Sequence, residues 1–401
     1  MSGLEKTALT IGFVPLTDCA PLVVAHEKGF FARNGLEVRL SREVSWASIR
    51  DKLAYDALDA AQLLAPMPIS LSLGLMGLRR AILVPMTLDL NGNGITVSTQ
   101  VMAVMVEAAP GLPKTGPIGA GALRAVVEAR RRERRPPLVF AHTYPMSTHH
   151  YLLRYWLATA GLEPGADVEL VVVPPPQMPA QLAAGRIDGY CVGEPWNQLA
   201  VRRGVGRLVA TSHDIWNNGT EKVLGVTADW AERHPATLQA LLRALIEAGA
   251  WLDRLENRLE AARLVTSEAY VDVPLEAVAY PLLGLVQEVR DAPPRAVPDA
   301  HVFHRWAANF PWVSHALWYG LQMHRARQLD AALRLDQARR IWRPDLYRPV
   351  ATELGLPVPD GDLKPEGIHG RPWQLATGGG PLLLGPDRFI DGRRFEADLN
   401  L

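Results

Sequence analysis

The sequence predicts an α/β fold with a largely parallel sheet, because short strand-like runs alternate with helix-like segments along the chain. The alternation begins with the apolar run at residues 9–15. It starts again with the run at 138–141, beyond a stretch that contains several Gly and Pro residues. A chain of 401 residues also exceeds what one hydrophobic core usually organises. We therefore expect two α/β units.

The individual elements can be assigned from local patterns. The strand at 9–15 leads into a helix over 20–34, which the pair Asn34-Gly35 is expected to end. Further strands are predicted at 37–40, 59–64, 81–86, 94–98, 138–141, 168–173 and 188–192. Further helices are predicted at 48–55, 149–160, 181–184 and 236–255.

The domain assignment depends on a strand-like run at 223–226, which we interpret as returning toward the first unit. Lobe 1 is predicted over residues 8–98 plus 223–401, and lobe 2 over residues 99–222. Beyond about residue 300 the chain is rich in Trp, His and Arg but lacks the sustained apolar periodicity of a third core. This C-terminal extension is expected to wrap an existing lobe.

Composition excludes several classes of protein. Hydrophobic residues make up 48% of the chain, charged residues 21%, and the formal net charge is zero. This balance argues against direct nucleic-acid binding, which normally needs a basic excess. No apolar run approaches the ~18 residues of a membrane span, so no membrane contact is expected. Residues 1–8 lack the apolar stretch of a secretory signal, so we predict a cytoplasmic location.

The chain carries no motif of a common enzyme class. There is no GxSxG elbow, no HExxH pair and no GxxxxGK[ST] phosphate loop. The two cysteines, Cys19 and Cys191, lie far apart in sequence and form no CxxC motif, so neither a disulfide framework nor a zinc site is indicated. We expect a binding protein that has no catalytic residues, metal or cofactor.

Eight segments in order along the chain resemble the nitrate and bicarbonate solute-binding proteins. They are GFVPLTDCAPL at 12–22, EKGFF at 27–31, SWASIRDK at 45–52, DAAQLLAPMP at 59–68, LNGNGI at 90–95, TH at 148–149, RYWL at 154–157 and VGEPWN at 192–197. The resemblance covers residues 8–255. It implies a type II periplasmic-binding-protein-like fold, with two α/β lobes that close on a ligand in the cleft between them.

The same resemblance implies a set of ligand-binding residues for nitrate or nitrite. They are Trp46, Gln62, Asn91, Thr148, His149 and Lys222. Nitrate accepts hydrogen bonds weakly, so its site needs positive potential, fixed N–H donors and a mostly dry pocket. Lys222 would be the cationic anchor, and His149 a donor at a helix N-terminus, where the dipole attracts anions. Trp46 would supply an indole N–H or a wall.

Each of these residues also has a structural interpretation. Lys222 could simply pair with Glu221 or solvent, His149 could be a helix cap, and tryptophan is most often core. Gln62 and Asn91 could satisfy local backbone groups. Bicarbonate-binding relatives tend to place an acidic group or a bound cation near the anion, because bicarbonate can donate a proton as well as accept one. Lys222 therefore favours nitrate or nitrite, although a register shift of one residue would exchange it with Glu221.

The resemblance also implies a role. Members of the group without an export signal are cytosolic nitrate/nitrite sensors, which hold a NasT-like RNA-binding antiterminator and release it when the anion binds. The alternative is the substrate-binding component of an ABC-type nitrate or bicarbonate transporter. The aromatic segment 306–318 is a candidate partner surface, with core packing as the alternative.

Overall fold

The structure is a computed structural model that describes residues 3–396. Its strands are β1 Ala8–Phe13, β2 Glu37–Arg42, β3 Ala60–Leu64, β4 Ile82–Asn91, β5 Asn93–Ser98, β6 Leu138–His142, β7 Val168–Val172, β8 Gly189–Gly193, β9 Gly206–Thr211, β10 Thr220–Thr227, β11 Leu285–Val286, β12 Arg295–Ala296, β13 His301–Val302, β14 Trp373–Leu375 and β15 Leu382–Leu384. The end of the predicted lobe 1, residues 397–401, lies outside the described part of the chain.

The helices connect these strands and cover the sheets. They are α1 Ala20–Glu27, α2 Phe30–Arg33, α3 Trp46–Ala54, α4 Met67–Leu73, α5 Thr99–Ala108, α6 Gly121–Arg132, α7 Thr148–Ala158, α8 Met178–Ala183, α9 Trp196–Arg202, α10 Ser212–Ile215, α11 Ala228–Arg233, α12 Pro235–Leu252, α13 Arg258–Val265, α14 Leu275–Leu282, α15 Val313–Arg325, α16 Leu335–Ile341 and α17 Pro344–Glu353. Within residues 3–396, no helix combines the length and the apolar character needed to cross a lipid bilayer.

Two sheets form the two lobes. The larger sheet has the order β13-β4-β10-β3-β1-β2, and the smaller one β7-β6-β8-β5-β9. β1 pairs in parallel with β2 and β3, and β6 pairs in parallel with β7 and β8. The strands β10 and β5, which follow the crossings between lobes, run antiparallel to their neighbours. The predicted two-lobed α/β fold is confirmed, but both sheets are mixed rather than largely parallel, because the strands at the crossings and β13 pair antiparallel. We call the lobe of the larger sheet lobe 1 and the other lobe 2.

The chain crosses between the sheets a few residues away from the predicted boundaries. β4 ends at Asn91 and β5 joins the smaller sheet, so residues 93–98 belong to lobe 2. β10 lies in the larger sheet from its start, so residues 220–222 belong to lobe 1. Both β4 and β5 are buried along their whole length, so hydrophobicity gives no sign of the crossing. The signal is conformational, since Asn91 and Asn218 have the positive φ that asparagine tolerates.

One glycine changes the predicted first helix. The segment 20–34 forms two helices, α1 and α2, separated at Gly29, where φ is 72°. Such a left-handed residue cannot continue an α-helix, and glycine adopts it at no steric cost. The predicted end is correct, because Gly35 also has a positive φ of 75°.

A short part of the predicted lobe 1 lies on lobe 2 instead. Strands β11 and β12 pair with each other, and Val286 and Val297 pack against Val201 and Leu208 of lobe 2. The backbone N–H of Leu208 also donates to the carbonyl of Glu288 at 3.2 Å. The C-terminal half of the chain therefore contacts both lobes.

The C-terminal extension packs on lobe 1 and reaches lobe 2. Helices α16 and α17 pack against β4 of the larger sheet. On the other side, the hydroxyl of Tyr155 in α7 donates to Asp391 at 2.9 Å. Trp312 and Trp318 are 2% exposed, so most of the aromatic segment 306–318 is core rather than partner surface.

The lobes also contact each other directly through the VGEPWN segment. The backbone N–H of Thr17 donates to the carbonyl of Glu194 at 2.7 Å. The indole N–H of Trp196 donates to the carbonyl of Pro15 at 3.2 Å. These bonds join the loop after β1 to the loop after β8, so the structure is a closed arrangement of the two lobes.

Candidate functional site

Lys222 lies at the centre of a buried cluster between the lobes. Its ammonium is fully buried, 2.6 Å from Asp18 Oδ2 and 2.5 Å from Glu221 Oε1. Asp18 follows the carboxyl end of β1, whereas Glu221 and Lys222 are consecutive residues of β10. Consecutive strand residues normally face opposite sides, but the pairing of β10 with β4 shifts register on both sides of Lys222. This irregularity lets both side chains reach one cluster.

Lobe 2 supplies hydrogen-bond donors to Glu221. Asn93 Nδ2 donates to Glu221 Oε2 at 2.5 Å, and Thr148 Oγ1 donates to Glu221 Oε1 at 2.6 Å. Thr148 is the first residue of α7, which Ser147 caps by accepting from the backbone N–H of His150 at 3.0 Å. A carboxylate on a lobe 1 strand is thus bound by side chains of lobe 2.

His149, in the first turn of α7, is a neutral imidazole whose Nε2 faces this cluster. Its Nδ1 lies 3.0 Å from Thr143 Oγ1, and its Nε2 lies 3.5 Å from Glu221 Oε1 without making a hydrogen bond. Burial lowers the pKa of His149 well below its ordinary value, so the contact with Glu221 is not an ion pair. When the Thr143 hydroxyl donates to Nδ1, the ring proton lies on Nε2 and points at the cluster.

Trp46 and Gln62 complete the cluster from the lobe 1 side. Ser45 caps α3 and places Trp46 in its first turn. The ammonium of Lys222 lies 5.5 Å from the centroid of the Trp46 ring, and the indole Nε1 is buried without a hydrogen-bond partner. Gln62 Nε2 donates to Asp18 Oδ1 at 2.7 Å, which leaves Gln62 Oε1 buried without a partner.

The structure does not bring Asn91 to this cluster. The amide of Asn91 donates to Asn218 Oδ1 at 3.0 Å and to the carbonyl of Asp299 at 2.7 Å. In return, the backbone N–H of Asn218 donates to Asn91 Oδ1 at 3.1 Å. These bonds clamp the two crossing segments to each other. The geometry therefore gives Asn91 a structural role at the crossing between the lobes.

The residues brought together are the other five of the predicted set, namely Trp46, Gln62, Thr148, His149 and Lys222. The predicted set does not include Asp18, Asp89, Asn93 or Glu221, and Glu221 was named only as a possible partner of Lys222, a pairing that the structure shows. Asp18 carried a usable signal, because it lies in the loop after a parallel strand, where ligand-site residues of α/β sheets lie. The acids were missed because a site for an anion is expected to be basic.

Two carboxyl groups, those of Asp18 and Glu221, contact the ammonium, and a third, that of Asp89, is close enough to act on it electrostatically. Asp89 Oδ1 accepts from the backbone N–H of Lys222 at 2.9 Å, and Asp89 Oδ2 is buried without a partner. Burial raises the pKa values of Asp18, Asp89 and Glu221, and the positive charge of Lys222 opposes each shift. Burial disfavours the charged form of Lys222 too, but the three carboxylates outweigh it and raise the pKa of the ammonium. The ammonium is therefore permanent, and the carboxyls are the groups that can take up a proton.

The cluster also changes the argument about selectivity. From the sequence, a register shift of one residue would put either Lys222 or Glu221 in the site. In the structure both side chains reach the same cluster and contact each other. The lysine alone therefore does not separate nitrate from bicarbonate. The acidic group associated with bicarbonate is present beside the cation associated with nitrate.

Two α/β lobes closed on a buried polar cluster define the class of type II solute-binding proteins. The chain belongs to the NMT1-like family, whose sequence profile matches residues 2–266.

Named relatives agree with this membership. The nitrate/nitrite binding protein NrtA of Synechococcus elongatus is 34% identical, over 98% of this chain and 87% of its own length. The bicarbonate transport ATP-binding protein CmpC of the same species is 38% identical over 88% of this chain. This chain spans about half the length of such ATP-binding relatives, 50% in the case of CmpC.

A solved structure extends the similarity to almost the entire fold. The crystal structure of the periplasmic nitrate-binding protein NrtA from Synechocystis superposes with a TM-score of 0.85 at 29% identity. The match covers 99% of this chain and 97% of that chain, so it includes the C-terminal extension.

Replacing Lys222 with methionine is expected to destabilise the fold by about 3–5 kcal/mol, because it leaves buried carboxylates without their counter-ion. Chemical denaturation at neutral pH measures the loss. The loss should shrink at acid pH, where the carboxyls are neutral.

Lys28→Met is the matched control, because Lys28 pairs with Glu260 at 2.6 Å on the surface. Such an exposed pair contributes about 0–1 kcal/mol. Equal losses for the two variants would contradict the central place given to Lys222.

Proposed function

We propose that this chain binds a small monovalent inorganic anion, nitrate or nitrite, between its lobes. The observation that carries the proposal is a pair of buried ring nitrogens, one from each lobe, that make no hydrogen bond within residues 3–396. Trp46 Nε1 comes from lobe 1, and the centroid of its ring lies 5.5 Å from the Lys222 ammonium. His149 Nε2 comes from lobe 2, lies 3.5 Å from Glu221 Oε1, and is an N–H donor in the tautomer in which Nδ1 accepts from Thr143. An unpaired buried donor costs about 1–3 kcal/mol, which an accepting ligand would offset.

We further propose that the protein senses the anion and signals its presence, instead of delivering it to a transporter. In this role the protein is a cytoplasmic sensor of the NasS type, and anion binding releases a NasT-like RNA-binding antiterminator. A site built from both lobes supports such a switch, because the ligand then has different affinities for the open and closed forms. The alternative function is that of the substrate-binding component of a transporter. It is supported by relatives named as nitrate import and bicarbonate transport ATP-binding proteins.

The ligand class is tested by calorimetric titration with nitrate, nitrite, bicarbonate and methanesulfonate. We expect heat with nitrate or nitrite, and about tenfold weaker binding in Trp46→Phe, which keeps an aromatic ring but removes the unpaired N–H. Trp373→Phe is the control, since Trp373 also has an unpartnered indole N–H but lies in β14 of the C-terminal extension. Absence of heat with both nitrate and nitrite would exclude the proposed ligand.

Anion affinity should fall as the pH rises through the raised pKa values of the buried carboxyls. A bound anion adds a negative charge beside Asp18, Asp89 and Glu221, so binding favours the protonated form of a carboxyl whose pKa burial has already raised. The histidines facing these acids do not supply the proton, because burial lowers the pKa of His149 and lowers that of His301 to about 3.

Calorimetry in two buffers of different ionisation enthalpy measures the proton taken up on binding. Asp89→Asn should flatten the pH dependence, because it removes one of the carboxyls that can take up a proton. The variant should keep the local structure, because the amide oxygen can still accept from the Lys222 backbone N–H. An affinity independent of pH, with no proton uptake, would refute the coupling.

The sensor role is tested with the co-purified antiterminator partner. Nitrate is expected to dissociate the complex in size-exclusion chromatography, because closure of the lobes changes the surface that the partner contacts. Chloride at equal concentration is the control for ionic strength. If nitrate binds to the protein but the complex persists, the sensor role fails and the transporter role remains.

A further inference from the structure

A cavity lies on the outer side of α7, away from the Lys222 cluster. It has a volume of about 470 Å³ and is open to solvent on one side. One wall is α7 of lobe 2, with Arg154 and Tyr155. The other wall is formed by Gln322 and Arg325 of α15 together with Arg393 of the C-terminal extension. The volume is that of a metabolite site, and is larger than a nitrate ion needs.

The charges around this cavity favour an anion. Arg154 pairs with Glu163 at 2.9 Å, and Arg393 Nε lies 3.3 Å from Asp391. Arg325 has neither an ion pair nor a side-chain hydrogen bond within residues 3–396, although an arginine fork can bind a carboxylate or phosphate with two bonds. The three arginines exceed the two acids by one positive charge.

A buried donor at the same wall is also without a partner. Gln322 is 7% exposed and lines the cavity, and its amide Nε2 makes no hydrogen bond to any group within residues 3–396. The nearby acid does not need this donor, because Asp391 already accepts from the Tyr155 hydroxyl at 2.9 and 3.0 Å. A ligand oxygen between Gln322 and Arg325 would satisfy both groups.

We propose that this cavity is a second binding site, for a small organic or inorganic dianion bearing phosphate or carboxylate groups, and that its occupant raises anion affinity at the Lys222 cluster. The two helices that form its walls also reach that cluster. The first turn of α7 supplies Thr148 and His149, and Tyr319 of α15 donates to the carbonyl of Thr220 at 2.6 Å, next to Glu221.

The coupling follows from this shared framework. α7 belongs to lobe 2, while α15 packs on α16, which in turn packs on the larger sheet of lobe 1. A dianion held by both walls therefore favours the closed arrangement in which the Lys222 cluster is assembled. By linkage, the anion in the cluster must strengthen dianion binding by the same factor. This coupling, unlike dianion binding itself, rests on the proposed function.

The test is calorimetric titration of the full chain with inorganic phosphate, pyrophosphate and malonate, each with and without saturating nitrate. At least one probe is expected to bind, and to bind more tightly with nitrate present. Arg325→Gln and Gln322→Leu should each weaken that probe about tenfold, since a hydrogen bond to a charged group is lost. Both variants should leave nitrate affinity unchanged when no probe is present.

Arg371→Gln is the matched control, because Arg371 is exposed and lies outside the cavity. Failure of all three probes, or equal weakening by the control variant, would overturn the second site. Probe binding without any nitrate binding would leave the second site in place and reject the proposed function instead. Probe and nitrate binding without mutual enhancement would reject the coupling alone.

Discussion

The closed structure depends on one buried ammonium. Lys222 is fully buried, and the cost of removing such a charge from water is several kcal/mol unless counter-ions and hydrogen bonds offset it. The counter-ions are Asp18 and Glu221, and Glu221 is in turn bound by Thr148 and Asn93 of lobe 2. Separating the lobes would break the bonds to Glu221. The stabilisation of the Lys222 charge therefore depends on the relative position of the lobes.

The two crossings between the lobes are bonded to each other by a pair of asparagines. Asn91 and Asn218 adopt the left-handed conformation at the two crossings and bind each other side by side. The clamp keeps the crossings together, while strands on either side stay within their own sheets. Direct hydrogen bonds between the lobes, such as that from Thr17 to Glu194, stabilise the closed form and would be broken if the lobes separated.

Much of the fold and part of the site could be predicted from the sequence, for physical reasons. Strand and helix periodicity is local. The family motifs place Trp46, Thr148 and His149 in the first turns of helices, and Gln62 and Lys222 on two neighbouring strands of one sheet. Asn91 was misplaced because its role depends on a backbone angle and on a partner 127 residues away. Asp18 and Asp89 were missed because a site for an anion is expected to be basic, whereas these acids are counter-charges of the buried lysine.

The buried acids beside Lys222 affect how readily this cluster would accept an anion. With Asp18, Asp89 and Glu221 around one ammonium, electrostatics alone would repel an anion if every acid were ionised. Burial already raises the pKa values of these acids, so neutralising one of them costs less than it would in water. The donors from Trp46 and His149 would then act on an anion in a site close to charge balance. Discrimination among anions would therefore depend on which ligand best matches those donors and the proton, and the lysine would be a shared requirement.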